Sequence, residues 1–369
     1  MKKIDGFGRI LAGAVAAAAM AVSAASYAAD REVRVFNWSD YIDQEILTEF
    51  TKETGIKVVY DVFDSNEVLE TKLLAGGSGY DIVVPTGSFL SRQIQAGVFQ
   101  KLDKSKIPNL KHMWPEIQER VSVFDPGNEY AIDYMWGTTG LGYNEAKVKA
   151  ALPDAPLDSW DLLFKPENAE KLKGCGIFVL DSPEDVIPPA LNYLGIDPNT
   201  NKPEEIKKAT DLIEKVRPYI QKFHSSEYIN ALANGDICLA LGWSGDIIQA
   251  GGRAEEAKNG HVINYILPKE GTMMWFDMMA IPKDAKNVEE AHIFLDYLMR
   301  PEVIAKASNY ISYANANLAS QAHLTDEVKN NTSVYPDAAT LKKLFVKKSY
   351  DPKTQRTVTR AWTKIVTGK

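Results

Sequence analysis

Two cysteines and five histidines are all that this chain of 369 residues offers to a transition metal or a haem. His112, His224, His261, His292 and His323 stand singly, so no zinc, haem or iron–sulfur spacing exists, and neither a metal nor a cofactor is expected. An excess of positive charge is also lacking. Lys and Arg number 42 against 49 Asp and Glu, a formal net charge of -7, and no basic tract is long enough to track a phosphate backbone. Nucleic acid is thereby excluded as an expected partner. Internal repeats, low-complexity segments and Gly/Ser linkers are missing too, so lobes would be intimately connected rather than strung apart. What remains is 45% hydrophobic and 25% charged, enough to bury two substantial cores.

The first residues bear on the compartment. Lys2, Lys3 and Arg9 form a basic start, residues 10–22 are an Ala-rich apolar stretch too short to span a bilayer comfortably, and Ser26-Tyr27-Ala28 sets small residues where a signal peptidase reads. Residues 1–28 are therefore expected to be a cleavable signal peptide. Cleavage removes three basic residues and Asp5, a net +2, and leaves a mature charge of -9, which favours cationic partners weakly. In an oxidising compartment Cys175 and Cys238 can pair, the alternative being two buried thiols. Both sit beside short β-like runs, 176–180 and 237–241, and the pairing is the favoured reading.

From Val33 onward apolar runs alternate with amphipathic helices. Residues 33–37 read as a strand; 43–54 as a helix with Ile46, Leu47 and Phe50 on one face and Gly55 as its C-cap; 56–62 as a strand; Asn66 as the cap of a helix carrying Val68, Leu69, Leu73 and Leu74; and 80–84 as a strand stopped by Pro85. This βαβαβ pattern predicts a mostly parallel sheet and the α/β class. A second α/β region spans about 140–248, with helices over 203–222 and 226–234 and strands near 177 and 239. Apolar runs follow at 262–267 and 274–281, and helical patterns dominate beyond.

In open α/β sheets ligands bind beyond the carboxyl ends of strands. Those positions here hold Trp38-Ser39-Asp40-Tyr41, Thr86-Gly87-Ser88, Asp181-Ser182-Pro183-Glu184-Asp185 and Gly242-Trp243-Ser244-Gly245-Asp246, with Trp275-Phe276-Asp277 inside an apolar run. The Gly242 segment approaches a nucleophile elbow, but Asp246 stands where Gly is needed, and no oxyanion-type HGGG segment exists. Gly140-Leu141-Gly142 and Gly76-Gly77-Ser78-Gly79 are fragments of nucleotide motifs and read as turns. Aromatic faces beside carboxylates suit an alkylammonium leaving water, whereas paired carboxylates alone would equally suit a periplasmic hydrolase. An amino-acid ligand would need an arginine, which no strand-end segment supplies.

Four stretches then make a family recognisable. Phe36-Asn37-Trp38-Ser39-Asp40-Tyr41-Ile42, Tyr60-Asp61-Val62-Phe63-Asp64-Ser65-Asn66-Glu67, Asn234-Gly235-Asp236-Ile237-Cys238 and Tyr313-Ala314-Asn315-Ala316-Asn317 resemble the periplasmic putrescine- and spermidine-binding proteins of bacterial polyamine ABC transporters. The resemblance runs through Thr359-Arg360-Ala361-Trp362-Thr363-Lys364. It implies a hinged, two-lobe periplasmic-binding-protein fold of type II character, with the ligand in the interlobe cleft. The expected lobes are 29–135 plus about 255–330, and 136–254 plus about 331–369. It further implies a non-enzymatic monomer in the periplasm, delivering a polyamine to an inner-membrane ABC permease.

Carried over residue by residue, the resemblance puts an aromatic box on Trp38, Tyr41, Trp243, Trp275 and Tyr313, and amine-anchoring carboxylates on Asp185, Asp246 and Asp277. Ser39 and Thr86 would add polar contacts, with Asp40 and Ser88 near the rim. Asp185 departs from the Glu of putrescine-type members. A Cys175–Cys238 disulfide is likewise implied. Trp275 matches spermidine-type members, while small Ser88 and Ser182 match the putrescine type. On the strength of the larger indole face, spermidine is the expected preference and putrescine the alternative.

Overall fold

The computed structural model describes residues 31–368, and the expected signal peptide lies outside them. β1 (Glu32–Trp38) pairs in parallel with β2 (Lys57–Phe63) and with β3 (Ile82–Val83), so that Val35 lies opposite both Tyr60 and Ile82. The helix Gln44–Thr54 connects the first two strands. Asp43 caps it by accepting from the Glu45 amide, Gly55 ends it at φ 71°, and Ile46, Leu47 and Phe50 form its buried face. The next helix, Asn66–Ala75, is capped one residue earlier than the sequence predicts: Ser65 accepts from the Val68 amide. Asn66 is not free to cap, because its side-chain amide is bonded to Thr86 in both directions.

Beyond this parallel unit the sheet is mixed rather than mostly parallel. β4 (Ala131–Asn144) is fourteen residues long and buried throughout. Its first half runs antiparallel to β9 (Met273–Ala280), and its second half antiparallel to β7 (Leu239–Trp243) and β8 (Ile263–Ile266). β5 (Ile177–Val179) lies parallel between β7 and β6 (Lys222–Phe223). Two short strands complete the set: β10 (Ala314–Asn315) on β4 and β11 (Phe345–Val346) on β9. The expected turn at Gly140-Leu141-Gly142 is instead the interior of β4. A Cβ on Gly140 would stand 2.4 Å from the Ile266 carbonyl oxygen, and one on Gly142 would stand 2.7 Å from Ile247, so these glycines serve close packing rather than chain reversal.

Two hydrophobic clusters divide the molecule. One gathers residues between 33 and 136 and between 273 and 334, including the edge-to-face pair Phe50–Phe294. The other gathers residues between 141 and 266 and between 350 and 365, around the fully buried Trp160 and Tyr228. Burying each such side chain contributes about 1.5–3 kcal/mol, so each cluster is a core in its own right. The chain passes between them three times, within β4, between β8 and β9, and between Val346 and Tyr350. Cys175 and Cys238 are bonded, with Cα atoms 5.4 Å apart, directly ahead of the parallel neighbours β5 and β7.

Candidate functional site

Strand ends of both clusters converge on one cavity. Trp38 closes β1; Thr86 caps the helix Gly87–Gln95; Ser182 caps the helix Pro183–Tyr193, which holds Asp185 in its first turn. Trp243 closes β7 and leads into the helix Ser244–Glu256, with Asp246 in its first turn. First-turn carboxylates face the positive end of the helix dipole, which helps hold them beneath the protein surface. Trp275 and Asp277, two residues apart on β9, share a face. Tyr313 follows the helix Pro301–Ile311, whose end is turned by Ser312 at φ 58°.

The cavity is lined by eleven of the twelve residues expected at a ligand site: Trp38, Ser39, Tyr41, Thr86, Ser88, Asp185, Trp243, Asp246, Trp275, Asp277 and Tyr313. Asp40 is outside it. Its backbone is left-handed at φ 54°, and its half-exposed carboxylate accepts from Arg253 Nη2 at 2.9 Å. Since Asp40 follows β1 and Arg253 belongs to a helix of the other cluster, this is a bridge over the rim.

Three aspartates in the cavity, Asp185, Asp246 and Asp277, are buried and hydrogen-bonded to neutral donors only. Asp277 accepts from Thr86 Oγ1 at 2.7 Å; burial, then the repulsion of Asp185 and Asp246, pushes its pKa up to about 7. Asp246 accepts from the hydroxyls of Tyr228 and Tyr313, at 2.7 and 2.8 Å, and burial pushes it up to about 6. Asp185 accepts from Thr139, from the Trp243 indole and from Ser182, at 2.9, 2.9 and 2.7 Å, and burial again raises it. Aromatic rings fill the spaces between. Trp38 and Trp243 meet edge to face at 5.6 Å, as do Tyr41 and Tyr313 at 5.2 Å and Trp275 and Tyr313 at 5.3 Å. Such a chamber stabilises a ligand that brings positive charges on an apolar chain, because carboxylates and ring faces together replace its hydration.

Glu184 was not singled out by sequence reasoning, though it lines the cavity and is 4% exposed. It accepts from Ser88 Oγ and from Arg92 Nη1, both at 2.9 Å, and both donors sit on the helix Gly87–Gln95. The signal was an acidic doublet opening a helix after a strand, of which only Asp185 was noted. Lys347 also lines the cavity. It was missed because the two-residue strand β11 that delivers it falls where the sequence reads as helical.

Residues 45–336 match the bacterial extracellular solute-binding protein family. The putrescine-binding periplasmic protein PotF of Escherichia coli is 56% identical over 362 residues, 97% of this chain and 98% of its own. The putrescine-binding periplasmic protein SpuD of Pseudomonas aeruginosa is 56% identical over 350 residues, 94% of this chain and 95% of its own. Among solved structures, a putative spermidine/putrescine ABC transporter protein from Listeria monocytogenes superposes with a TM-score of 0.82 at 33% identity, covering 92% of this chain and all of that one.

Proposed function

The chain belongs to the periplasmic putrescine- and spermidine-binding proteins within the bacterial extracellular solute-binding family, and from that premise we propose that it captures a linear polyamine, putrescine before spermidine, for an ABC importer. The observation that carries this reading is the chamber itself: Asp185, Asp246 and Asp277, all buried and without a cation, stand among five aromatic rings. A diamine supplies the missing charges at its ends and packs its methylenes on the rings. As a solute-binding protein the chain is not an enzyme, which sets aside the hydrolase alternative.

Spermidine, expected from Trp275, is not supported by the relatives, for both at 56% identity are named for putrescine. The Trp275 indole lines the cavity and packs edge to face against Tyr313. The periplasm, the export signal and an inner-membrane permease as partner to a monomer complete the proposal. The two clusters support lobes built from residues up to about 136 with 273–334, and from 141–266 with 350–365, because Ile266 packs in the second cluster and Val334 in the first. Calorimetry of the mature protein should give tight 1:1 binding of putrescine and none of butane-1,4-diol, with the diamine recovered unchanged. Equal binding of the diol, or chemical turnover, would overturn the reading.

A further inference from the structure

A lysine is an unexpected wall for a chamber that gathers cations. Lys347 lines the same cavity as the three aspartates and is 4% exposed. It follows directly on β11, whose Val346 pairs with Met274 of the strand that carries Trp275 and Asp277. Two residues on, Ser349 Oγ donates to the Ser88 carbonyl at 2.5 Å, which fixes this segment at the Ser88–Glu184 end of the cavity. The Lys347 ammonium stands 3.4 Å from the centre of the Tyr350 ring and donates to the Lys348 carbonyl. Glu184 exerts the largest carboxylate pull on it, but Glu184 is already held by Arg92 and Ser88.

We infer that Lys347 sets polyamine length: its buried side chain lines the Ser88–Glu184 end of the cavity, and the positive charge it carries there opposes a third ligand ammonium, so the site accepts a diamine and repels a triamine. The inference rests on the polyamine reading above and adds a residue to it. Repulsion between two like charges in a partly buried site is far stronger than in water, and selectivity built on repulsion does not require better contacts to the accepted ligand. Burial lowers the lysine to about 8, which still leaves it mostly protonated at neutral pH.

The test is calorimetric titration of putrescine and of spermidine into the full mature protein and into Lys347→Met, Lys347→Gln and Lys347→Arg, with a thermal melt on each to establish folding. The unaltered protein should prefer putrescine at least tenfold. Lys347→Met and Lys347→Gln should narrow that ratio at least tenfold, through a gain for spermidine, and Lys347→Arg should keep it within about threefold. Either neutral variant suffices should the other fail to fold. A ratio unmoved in the neutral variants, or equal losses for both ligands, overturns the inference and leaves the polyamine reading standing. Absence of any polyamine binding by the unaltered protein overturns that reading, and the inference with it.

Discussion

Arg92 reaches across the cleft to Glu184, its Nη1 2.9 Å from Oε1, while its Nε and Nη2 stay on Glu70 of its own cluster. The guanidinium fork therefore ties together the two sides of the cavity. Closed and open forms of a hinged protein differ by such contacts, and a ligand shifts their balance only through what it adds.

Removing this tie should loosen closure without touching the aspartates. Hydrogen bonds to charged groups are worth about 1.5–3 kcal/mol each, and Arg92 is partly exposed, so the lower end applies. Glu184→Gln is expected to weaken putrescine binding roughly tenfold, mainly by faster dissociation. Small-angle scattering of the ligand-free variant should show a larger radius of gyration than the unaltered protein; identical profiles would mean the pair plays no part in closure.

Acidification should release ligand. Asp277, pushed up to about 7, and Asp246, pushed up to about 6, must both be ionised to meet an ammonium. A bound cation lowers both, so binding expels protons, and affinity falls as pH drops through 7 and then 6. Titrations between about pH 8 and pH 5 should show putrescine affinity declining monotonically by more than a hundredfold. A flat profile would show that neither carboxylate pairs with the ligand.

The same burial makes Asp277 a cost to the empty protein. An acid whose folded pKa exceeds its unfolded one stabilises the fold fully below about pH 4, and that contribution is lost as pH rises through about 7. At pH 8 the ionised, buried carboxylate therefore opposes folding, by on the order of 4 kcal/mol. Asp277→Asn should raise the melting temperature of the ligand-free protein at pH 8 and change it little at pH 4. Putrescine affinity should meanwhile drop at least a hundredfold, since an ammonium loses its counter-charge. A variant less stable at pH 8 would contradict the electrostatic account.

These outcomes also mark what the sequence disclosed. Local signals held where the chain decides locally: Asp43 and Gly55 bound a helix whose buried face is Ile46, Leu47 and Phe50, as its periodicity predicts. Aromatic and acidic segments at or near strand ends held ten of the cavity residues, the ends of the parallel βαβ unit among them because that unit brings its loops to one edge, whereas Tyr313 came only from the family resemblance. Nonlocal pairings were not legible. The antiparallel use of β4 by both clusters, and the arrival of Lys347 through β11, depend on partners more than 70 residues away. Asp40 failed to reach the cavity for a similar reason, since its partner Arg253 comes from the other cluster.

The disulfide supplies the last prediction. Cys175 and Cys238 close a loop of 63 residues that contains helix Pro183–Tyr193 with Glu184 and Asp185, yet neither sulfur lines the cavity. In the chain-entropy model such a closure stabilises by about 4 kcal/mol, by restricting the unfolded chain rather than by shaping the native one. Reduction should therefore lower the melting temperature by several degrees while leaving putrescine affinity at moderate temperature within about twofold. Cys175 is only partly buried, so a small phosphine reductant can reach the bond. Calorimetric scans and titrations of oxidised and reduced protein, checked by thiol counting, separate the two effects. Should reduction abolish binding without moving the melting temperature, the bond would be positioning the Glu184–Asp185 helix rather than restraining the unfolded chain.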